Sequence, residues 1–209
     1  MPDPRRKVVL AGIGGQGVIF ASRLLAEAAL ARGAQVIVSE THGMSQRGGG
    51  VAAHLKIGDE QGPLIRRGTA DALIALDRLE GLRHLPFMRP GGAVFVNAME
   101  GFPQPVQARL DELEVGICQV DADGAALRLG SPAIANVVLL GFVAAHTSLG
   151  MSLDDLREAV RRLGPLPAVG INLSALDEGA QEAYGTDHGC CSRLRPSGEI
   201  IVPLGEAGR

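Results

Sequence analysis

Short apolar runs alternate with helix-like patterns along most of the chain, and the first such unit is the most informative. Residues 8–11, VVLA, are continuously apolar, and the glycine cluster GIGGQG follows at residues 12–17. Over residues 18–31, apolar side chains recur at helical spacing. A strand, a tight glycine turn and a helix in this order predict a βα unit whose helix begins near Gly17.

Further apolar runs predict strands and longer periodic runs predict helices. The predicted strands are 35–39, 51–57, 71–77, 93–97 and 117–120, and the predicted helices are 79–87, 131–149, 152–163 and 172–184, with a short helix within 102–114. Gly33 is placed to end the first helix, Ser152 and Asp155 form a capping-box pattern, and residues 89–92 predict a turn.

This alternation predicts the α/β class, as a Rossmann-like three-layer α/β/α sandwich with a mainly parallel, mixed sheet. Residues 1–184 are expected to form a single α/β domain. Residues 185–209 are rich in turn formers, and we expect a peripheral or partly disordered C-terminal tail.

Composition narrows the class of protein further. Hydrophobic residues make up 46% of the 209 residues but aromatic residues only 3%, so the core must be aliphatic. A net charge of -3 and few aromatic side chains argue against nucleic acid as a partner. Three cysteines do not form a disulfide framework, which predicts a cytoplasmic location, and no segment has the roughly 20 apolar residues that would predict membrane insertion.

The glycine turn is the first candidate site, formed by Gly12, Gly14, Gly15, Gln16 and Gly17. Glycine lets a backbone approach a ligand closely, and the free N–H groups of a helix N-terminus favour a phosphate or carboxylate. Glu40 follows Gly17 by 23 residues and would bind a ribose if the turn held a dinucleotide. An independent NAD(P)-binding dehydrogenase, a nucleotide-binding module and a turn without a ligand therefore all remain open.

A second polar, glycine-rich segment lies between two predicted strands. Its candidate site residues are Glu40, His42, Gln46, Arg47, Gly48 and Gly49. Glu40 and His42 could couple as carboxylate and imidazole, and Arg47 offers a planar donor fork for a phosphate or carboxylate. We expect this segment at the same sheet edge as the glycine turn, because both follow parallel strands. The alternative is a solvated loop whose charges pair with one another.

Other candidate sites are weaker. Residues 121–124 resemble a calcium loop only in part, because Ala125 and Pro132 stand where ligands are required. The remaining histidines and tail cysteines lack further ligands at metal spacing and are interpreted as structural or incidental: His54, His146, His188, Cys190 and Cys191. The chain also has no C-x-x-C-x-x-C run, G-x-S-x-G elbow or H-E-x-x-H helix. A glycine turn suited to anion binding, in a chain without these nucleophile, metal and cluster motifs, favours one subunit of a larger enzyme.

Together the two glycine-rich segments resemble a known family. GIGGQG at 12–17 and SETHGMSQRGG at 39–49 are similar to the gamma subunit, or gamma-like domain, of 2-oxoacid:ferredoxin oxidoreductases. The HGMSQRGG form is most similar to the small (beta) subunit of indolepyruvate oxidoreductases. The similarity runs from about residue 7 to residue 184, and further matching positions are Asp71, Pro90, Gly91, Gly92, Asn97, Ser131, Pro132, Asn136, Gly141, Asn172, Leu173, Ala175 and Gly179.

The resemblance implies oxidative decarboxylation of a 2-oxoacid to an acyl-CoA, with coenzyme A as cosubstrate and ferredoxin as acceptor. It implies that thiamine diphosphate and iron–sulfur clusters are held by a large partner subunit, so that no catalytic or metal-binding residue is expected here and the chain alone is expected to be inactive. The resemblance implies that the two glycine-rich loops lie in the coenzyme A region or contact the partner subunit. A homodimer of the isolated chain stays open, as does the identity of the 2-oxoacid.

Overall fold

A sheet between two layers of helices forms the part of the chain that the computed structural model describes, residues 5–42, 48–58, 62–146 and 149–185. The strands are β1 (Arg6–Ile13), β2 (Val36–His42), β3 (Gly50–Ile57), β4 (Ala70–Ala75), β5 (Met88–Asn97) and β6 (Gly116–Val120). The helices are α1 (Val18–Ala31), α2 (Arg78–His84), α3 (Gln104–Glu112), α4 (Ala122–Arg128), α5 (Ala135–His146), α6 (Leu153–Leu163) and α7 (Val169–Gly185). The predicted α/β sandwich with a mixed sheet is confirmed.

The strand order is β2-β3-β1-β4-β5-β6. The strands β1, β4, β5 and β6 are parallel, whereas β3 is antiparallel to both of its neighbours, β1 and β2. The sequence pattern correctly indicated that β1 and β2 run in the same direction. It did not show that β3 lies between them, because strand pairing over this distance leaves no local signal.

Alternate residues of the central strands face opposite helix layers, as the two-residue period of a strand requires. On β1, Val8 and Leu10 belong to the core beneath α1, α4, α5, α6 and α7. Val9 and Ala11 belong to the second core, beneath α2 and α3. None of the helices in the described residues combines the length and the apolar character needed to cross a membrane.

Local sequence signals predict the ends of α1 and the start of α6 correctly. The bounds of α1 agree with the prediction, and Gly33 (φ 83°) ends it with N–H bonds from Gly33 to Leu30 and from Ala34 to Ala29. The Ser152–Asp155 capping box at the start of α6 is also confirmed.

Three elements differ in kind from the prediction, apart from shifts of a few residues at the ends of others. Helix α4 was missed, and the partial calcium pattern is its N-cap, because the Asp121 side chain accepts the Gly124 N–H at 2.8 Å. The single helix predicted over 131–149 is a short 3-10 turn followed by α5. The turn predicted at 89–92 lies inside β5 as an irregularity, where Met88 pairs with Ala70 and Ala93 with Ala72. The pairing of β5 with β4 is therefore interrupted over residues 89–92 and resumes at Ala93.

Candidate functional site

The glycine turn between β1 and α1 is closed by its own glutamine. The Gln16 side-chain Oε1 accepts the Ile13 N–H at 2.7 Å, and the Gln16 N–H donates to the Ile13 carbonyl at 3.0 Å. Gly15 and Gly17 adopt φ values of 104° and 79°, in the left-handed region that glycine tolerates best. Much of the Gln16 hydrogen-bonding capacity is thus used to hold the turn.

Tight packing explains two of the glycines. A Cβ on Gly12 would lie 2.9 Å from both Gln16 Oε1 and the Val18 side chain. A Cβ on Gly17 would lie 2.2 Å from Asn136 Nδ2, which donates to the Gly17 carbonyl at 3.2 Å. Asn136 therefore joins the start of α5 to the start of α1, and sequence reasoning had noted it only as a position that matches the family.

The outer surface of the turn offers hydrogen-bond donors. Among the described residues, no acceptor is found for the backbone N–H of Gly15 or of Gly17. A Cβ on Gly15 would meet nothing within 4 Å, and the first turn of α1 carries no acidic residue. Free donors at the positive end of a helix favour an anionic or acceptor group there.

The second glycine-rich segment lies beside this turn. The Gly14 N–H donates to the Gly49 carbonyl at 2.9 Å, and a Cβ on Gly14 would lie 3.7 Å from the Gly48 nitrogen. The two loops therefore meet at the carboxyl edge of the sheet, where their positions after β1 and β2 predicted them. Their roles in binding stay predictions.

Buried Glu80, in the first turn of α2, supports the second loop and was not singled out from the sequence. It is 4% exposed, pairs with Arg83, and its Oε2 would lie 2.6 Å from a Cβ on Gly50. The pattern Asp77-x-x-Glu80 just after a strand was a usable N-cap signal, since Asp77 accepts the Glu80 N–H at 2.9 Å.

Of the other site residues predicted in the second segment, the structure describes the side chain of Glu40 only. Glu40 is half-buried on β2 and pairs with Ala53 of β3, so two strand spacings, about 10 Å, separate its strand from β1. The side chain of His42, and the residues Gln46 and Arg47, lie outside what the structure describes. The predicted coupling of Glu40 with His42 and the donor role of Arg47 therefore stay predictions.

A small cavity opens next to the glycine turn. Its volume is about 130 Å³, and its walls include Gly15, Gln16, Leu76, Asn97, Asp123 and Ala133. The helices after β1 and β4 pack on opposite faces, which makes this the topological switch point where α/β sheets commonly bind ligands. The volume is well below the roughly 300–1,000 Å³ of pockets that enclose a whole small molecule. The cavity therefore fits one small group.

Asn97 holds the floor of this cavity. Its Nδ2 donates to the Leu76 carbonyl at 3.2 Å, and its Oδ1 accepts the N–H groups of Ala122 at 2.9 Å and Asp123 at 3.3 Å. The end of β4 and the start of α4 are thus joined by one side chain. Exposed Asp123 also lines the cavity, and its negative charge opposes an anion unless a cation from the ligand or another chain compensates it.

Metal binding is not supported by the described residues. Within them, no three or more His, Cys, Asp or Glu side chains come close enough to hold a metal ion, and Cys118 is a buried thiol that is not part of a disulfide. This part of the chain does not provide the four thiolates that an iron–sulfur cluster typically requires.

Comparison with known proteins extends these observations. A sequence model of the family described as pyruvate ferredoxin/flavodoxin oxidoreductase matches residues 7–182. The chain is 36% identical over 193 residues to the indolepyruvate oxidoreductase subunit IorB of Archaeoglobus fulgidus, covering 86% of this chain and 96% of that protein. For the IorB subunit of Pyrococcus horikoshii the identity is 34% over 191 residues, with 84% and 95% covered. The crystal structure of the keto/oxoacid ferredoxin oxidoreductase gamma subunit from Geobacter sulfurreducens superposes with a TM-score of 0.70 at 26% identity, covering 87% of this chain and 99% of that one.

Proposed function

The chain belongs to the pyruvate ferredoxin/flavodoxin oxidoreductase family, and we propose that it is the small subunit of a 2-oxoacid:ferredoxin oxidoreductase of the indolepyruvate type. The observation that carries this proposal is the nearly full-length similarity to indolepyruvate oxidoreductase subunits. Together with a larger partner chain, it would support oxidative decarboxylation of a 2-oxoacid to an acyl-CoA. Its cysteine usage is compatible with a complex in the cytoplasm.

The larger subunit would hold thiamine diphosphate and the iron–sulfur clusters and would pass electrons to ferredoxin. What this chain supplies is a sheet edge at which the glycine turn, residues 12–17, meets Gly48 and Gly49.

We assign this edge to contact with the partner subunit and with the coenzyme A region between the subunits. The N–H groups of Gly15 and Gly17 and the open space at Gly15 would accommodate an acceptor group from outside the chain. The small cavity beside them, with its Asp123 carboxylate, accepts only part of a ligand and calls for a compensating cation. A site shared with another chain would meet both conditions.

An independent dinucleotide-binding dehydrogenase is the weaker alternative. In that class the acidic residue at the end of the second strand binds the ribose close to the glycine turn. Here β3 intervenes between β1 and β2 and moves Glu40 a further strand away. The 130 Å³ cavity is also too small for a dinucleotide.

The test is to purify the chain alone and together with its larger partner and to measure dye reduction with 2-oxoacids and coenzyme A. We expect no turnover by the chain alone and turnover by the complex, with indolepyruvate preferred over pyruvate and 2-oxoglutarate. Omission of the 2-oxoacid is the control for background reduction. Turnover by the chain alone would refute the subunit assignment, and a complex that prefers pyruvate would refute the indolepyruvate type.

A further inference from the structure

The strand β2 forms one edge of the sheet. Among the described residues it pairs with β3 alone, in a register that runs without a bulge from Val36 to His42. Its sequence, VIVSETH, contains neither proline nor lysine. Natural sheets commonly protect an exposed edge with such residues, with a bulge or with a covering segment, because an unprotected edge can pair with another strand.

The hydrogen bonds between β2 and β3 show which backbone groups point outward. In an antiparallel pair, residues that exchange hydrogen bonds with their partner alternate with residues whose N–H and C=O point away from it. The Gly58 N–H donates to the Gln35 carbonyl at 2.9 Å, and this pair continues the β2–β3 register by one position. By alternation, the outward backbone groups belong to the even-numbered residues of β2, which are Val36, Val38, Glu40 and His42. No hydrogen-bond partner for these groups is found among the described residues.

The side chain of Val38 is exposed at this edge. It is 36% exposed, although it lies on the same face of the sheet as Leu55, its fully buried register partner on β3. Four of the seven residues of β2 are β-branched, and such side chains favour strands. The edge is therefore both open and suited to an additional strand.

We propose that β2 pairs with β2 of a second copy of this chain, antiparallel about a two-fold axis, so that the two sheets become continuous. A two-fold axis brings the same surface of both copies together, and an antiparallel strand pair is self-complementary in this way. With Ser39 opposite the second copy's Ser39, all seven residues of β2 are paired. Glu40, the only Asp, Glu, Lys or Arg of the strand, then stands opposite Val38. Its carboxylate therefore does not oppose its own copy, which would destabilise the pair.

A second copy fits this edge better than the larger partner subunit does. The glycine turn assigned to that subunit follows β1, and β3 separates β1 from β2, so the outer side of β2 faces away from β1. Pairing there leaves the glycine turn accessible to the larger chain. A strand of seven residues is about 23 Å long, which is small beside the roughly 800 Å² that each partner buries in a standard interface. We therefore expect a dimer with a micromolar dissociation constant.

The first test is sedimentation equilibrium of the intact chain, without its larger partner, over a range of micromolar concentrations. Val38→Pro removes an outward N–H and leaves the bonds to β3 in place, because an edge strand tolerates proline where its N–H faces solvent. Val38→Thr is the matched control, since it keeps this N–H and the β-branched shape. Because the two-fold axis repeats each loss, we expect the dissociation constant to rise about tenfold or more in Val38→Pro and less than about threefold in Val38→Thr.

A cysteine cross-link tests the register and does not depend on the folding of a proline variant. In a chain that carries Cys190→Ser and Cys191→Ser, Ser39→Cys would place two Cα atoms about 4.5 Å apart across the axis, within reach of a disulfide. Thr41→Cys is the matched control, because its two Cα atoms would be roughly 14 Å apart. After oxidation, we expect a covalent dimer on a non-reducing gel for Ser39→Cys and a monomer for Thr41→Cys.

The proposal is wrong if the wild-type chain stays monomeric throughout, or if both Val38 variants weaken the dimer equally. It is also wrong if Thr41→Cys forms the cross-link as readily as Ser39→Cys, since that would indicate random collision. A chain that is monomeric alone, but whose complex with the larger subunit is weakened by Val38→Pro, would assign the edge to that subunit instead. The subunit assignment itself is tested separately, by turnover.

Discussion

Gly17 is the residue of the glycine turn that should tolerate substitution least. Its φ of 79° is unfavourable for any side chain, and a Cβ would lie 2.2 Å from Asn136 Nδ2. We expect Gly17→Ala to lower the free energy of unfolding by about 2 kcal/mol or more, because backbone strain of about 1–3 kcal/mol adds to the steric conflict. Urea denaturation of the purified chain measures the change.

Gly14 provides the matched control within the same turn. A Cβ there would lie 3.6 Å from the Gly49 carbonyl, an ordinary contact distance, so Gly14→Ala should cost less than about 1 kcal/mol. Adding Asn136→Ala to Gly17→Ala should remove the steric part of the cost and leave the backbone strain. The two substitutions should therefore depart from additivity by a coupling energy of about 0.5–3 kcal/mol. Strictly additive effects would show that Asn136 is not the obstacle.

The sequence identified the glycines of this turn but not the reasons for all of them. A strand, a glycine cluster and a helix in order are a local signal, and the turn lies where that signal placed it. Asn136 is 119 residues away from Gly17 along the chain, so no local pattern links them. Gln16 was predicted as part of a ligand or partner loop, and its side-chain bond to Ile13 adds a structural role that its residue type alone could not show.

Helices α5 and α7 approach each other closely through glycine. A Cβ on Gly179 of α7 would lie 1.9 Å from the Val138 carbonyl of α5, and one on Gly141 would lie 2.1 Å from the Leu176 carbonyl of α7. We expect Gly179→Ala to destabilise the protein by about 2 kcal/mol or more, although alanine is favoured over glycine by about 1 kcal/mol in an ordinary helix. Thermal or urea denaturation tests this.

Gly170, near the start of the same helix, is the control. No atom lies within 4 Å of a Cβ added there, so Gly170→Ala should be neutral or stabilise the chain by up to about 1 kcal/mol. If both substitutions stabilised the protein, the two helices would have to pack less closely than the structure indicates.

His54 connects β3 to the segment at 62–69 and should make stability depend on pH. Burial, followed by the neighbouring positive charges of His84 and Lys56, lowers the pKa of His54 from its ordinary value of 6.5. The folded state therefore binds fewer protons than the unfolded state, and stability should fall as the pH drops below about 6.5 until the lower folded pKa is passed. Urea denaturation of the wild-type chain at several pH values between 5 and 8 measures this trend in the free energy of unfolding.

His54→Asn isolates this contribution. The asparagine Oδ1 can accept the Ile65 N–H in place of Nδ1 but does not titrate. We expect the variant to lose less stability than the wild type between pH 7 and 5, whatever its stability at neutral pH. An unchanged pH dependence would mean that His54 is not responsible for it.

At the scale of elements, prediction succeeded where the signal was local. The bounds of α1 and the cap of α6 follow from apolar spacing, glycine and serine, and the structure reproduces them. Helix α4 was missed because its seven residues, ADGAALR, are too few to show a clear period. Residues 89–92 have the composition of a turn, and the pairing of β5 with β4 is interrupted over them before it resumes at Ala93.

Across the whole molecule, the fold class was predictable and the strand order was not. Alternating strands and helices limit the architecture to layers around a largely parallel sheet. The predicted meeting of the two loops also holds, because β1 and β2 end at the same edge even though they are not neighbours. A cavity of about 580 Å³ at the amino edge of the parallel strands had no signature in the sequence, since its lining residues Lys7, Lys56 and Arg66 are brought together only by strand pairing and by the packing of residues 62–69.

The position of β3 between β1 and β2 also has a consequence for the order of folding. Among the described strands, β2 pairs only with β3, so it cannot join the sheet before β3 does. A hairpin closes a short loop and can form within microseconds, whereas pairing β3 with β1 must bring together residues about 40 apart or more. The β2–β3 hairpin can therefore form as a unit and dock on β1 afterwards. On that route the contact between Gly14 and Gly49 is completed only when the hairpin docks.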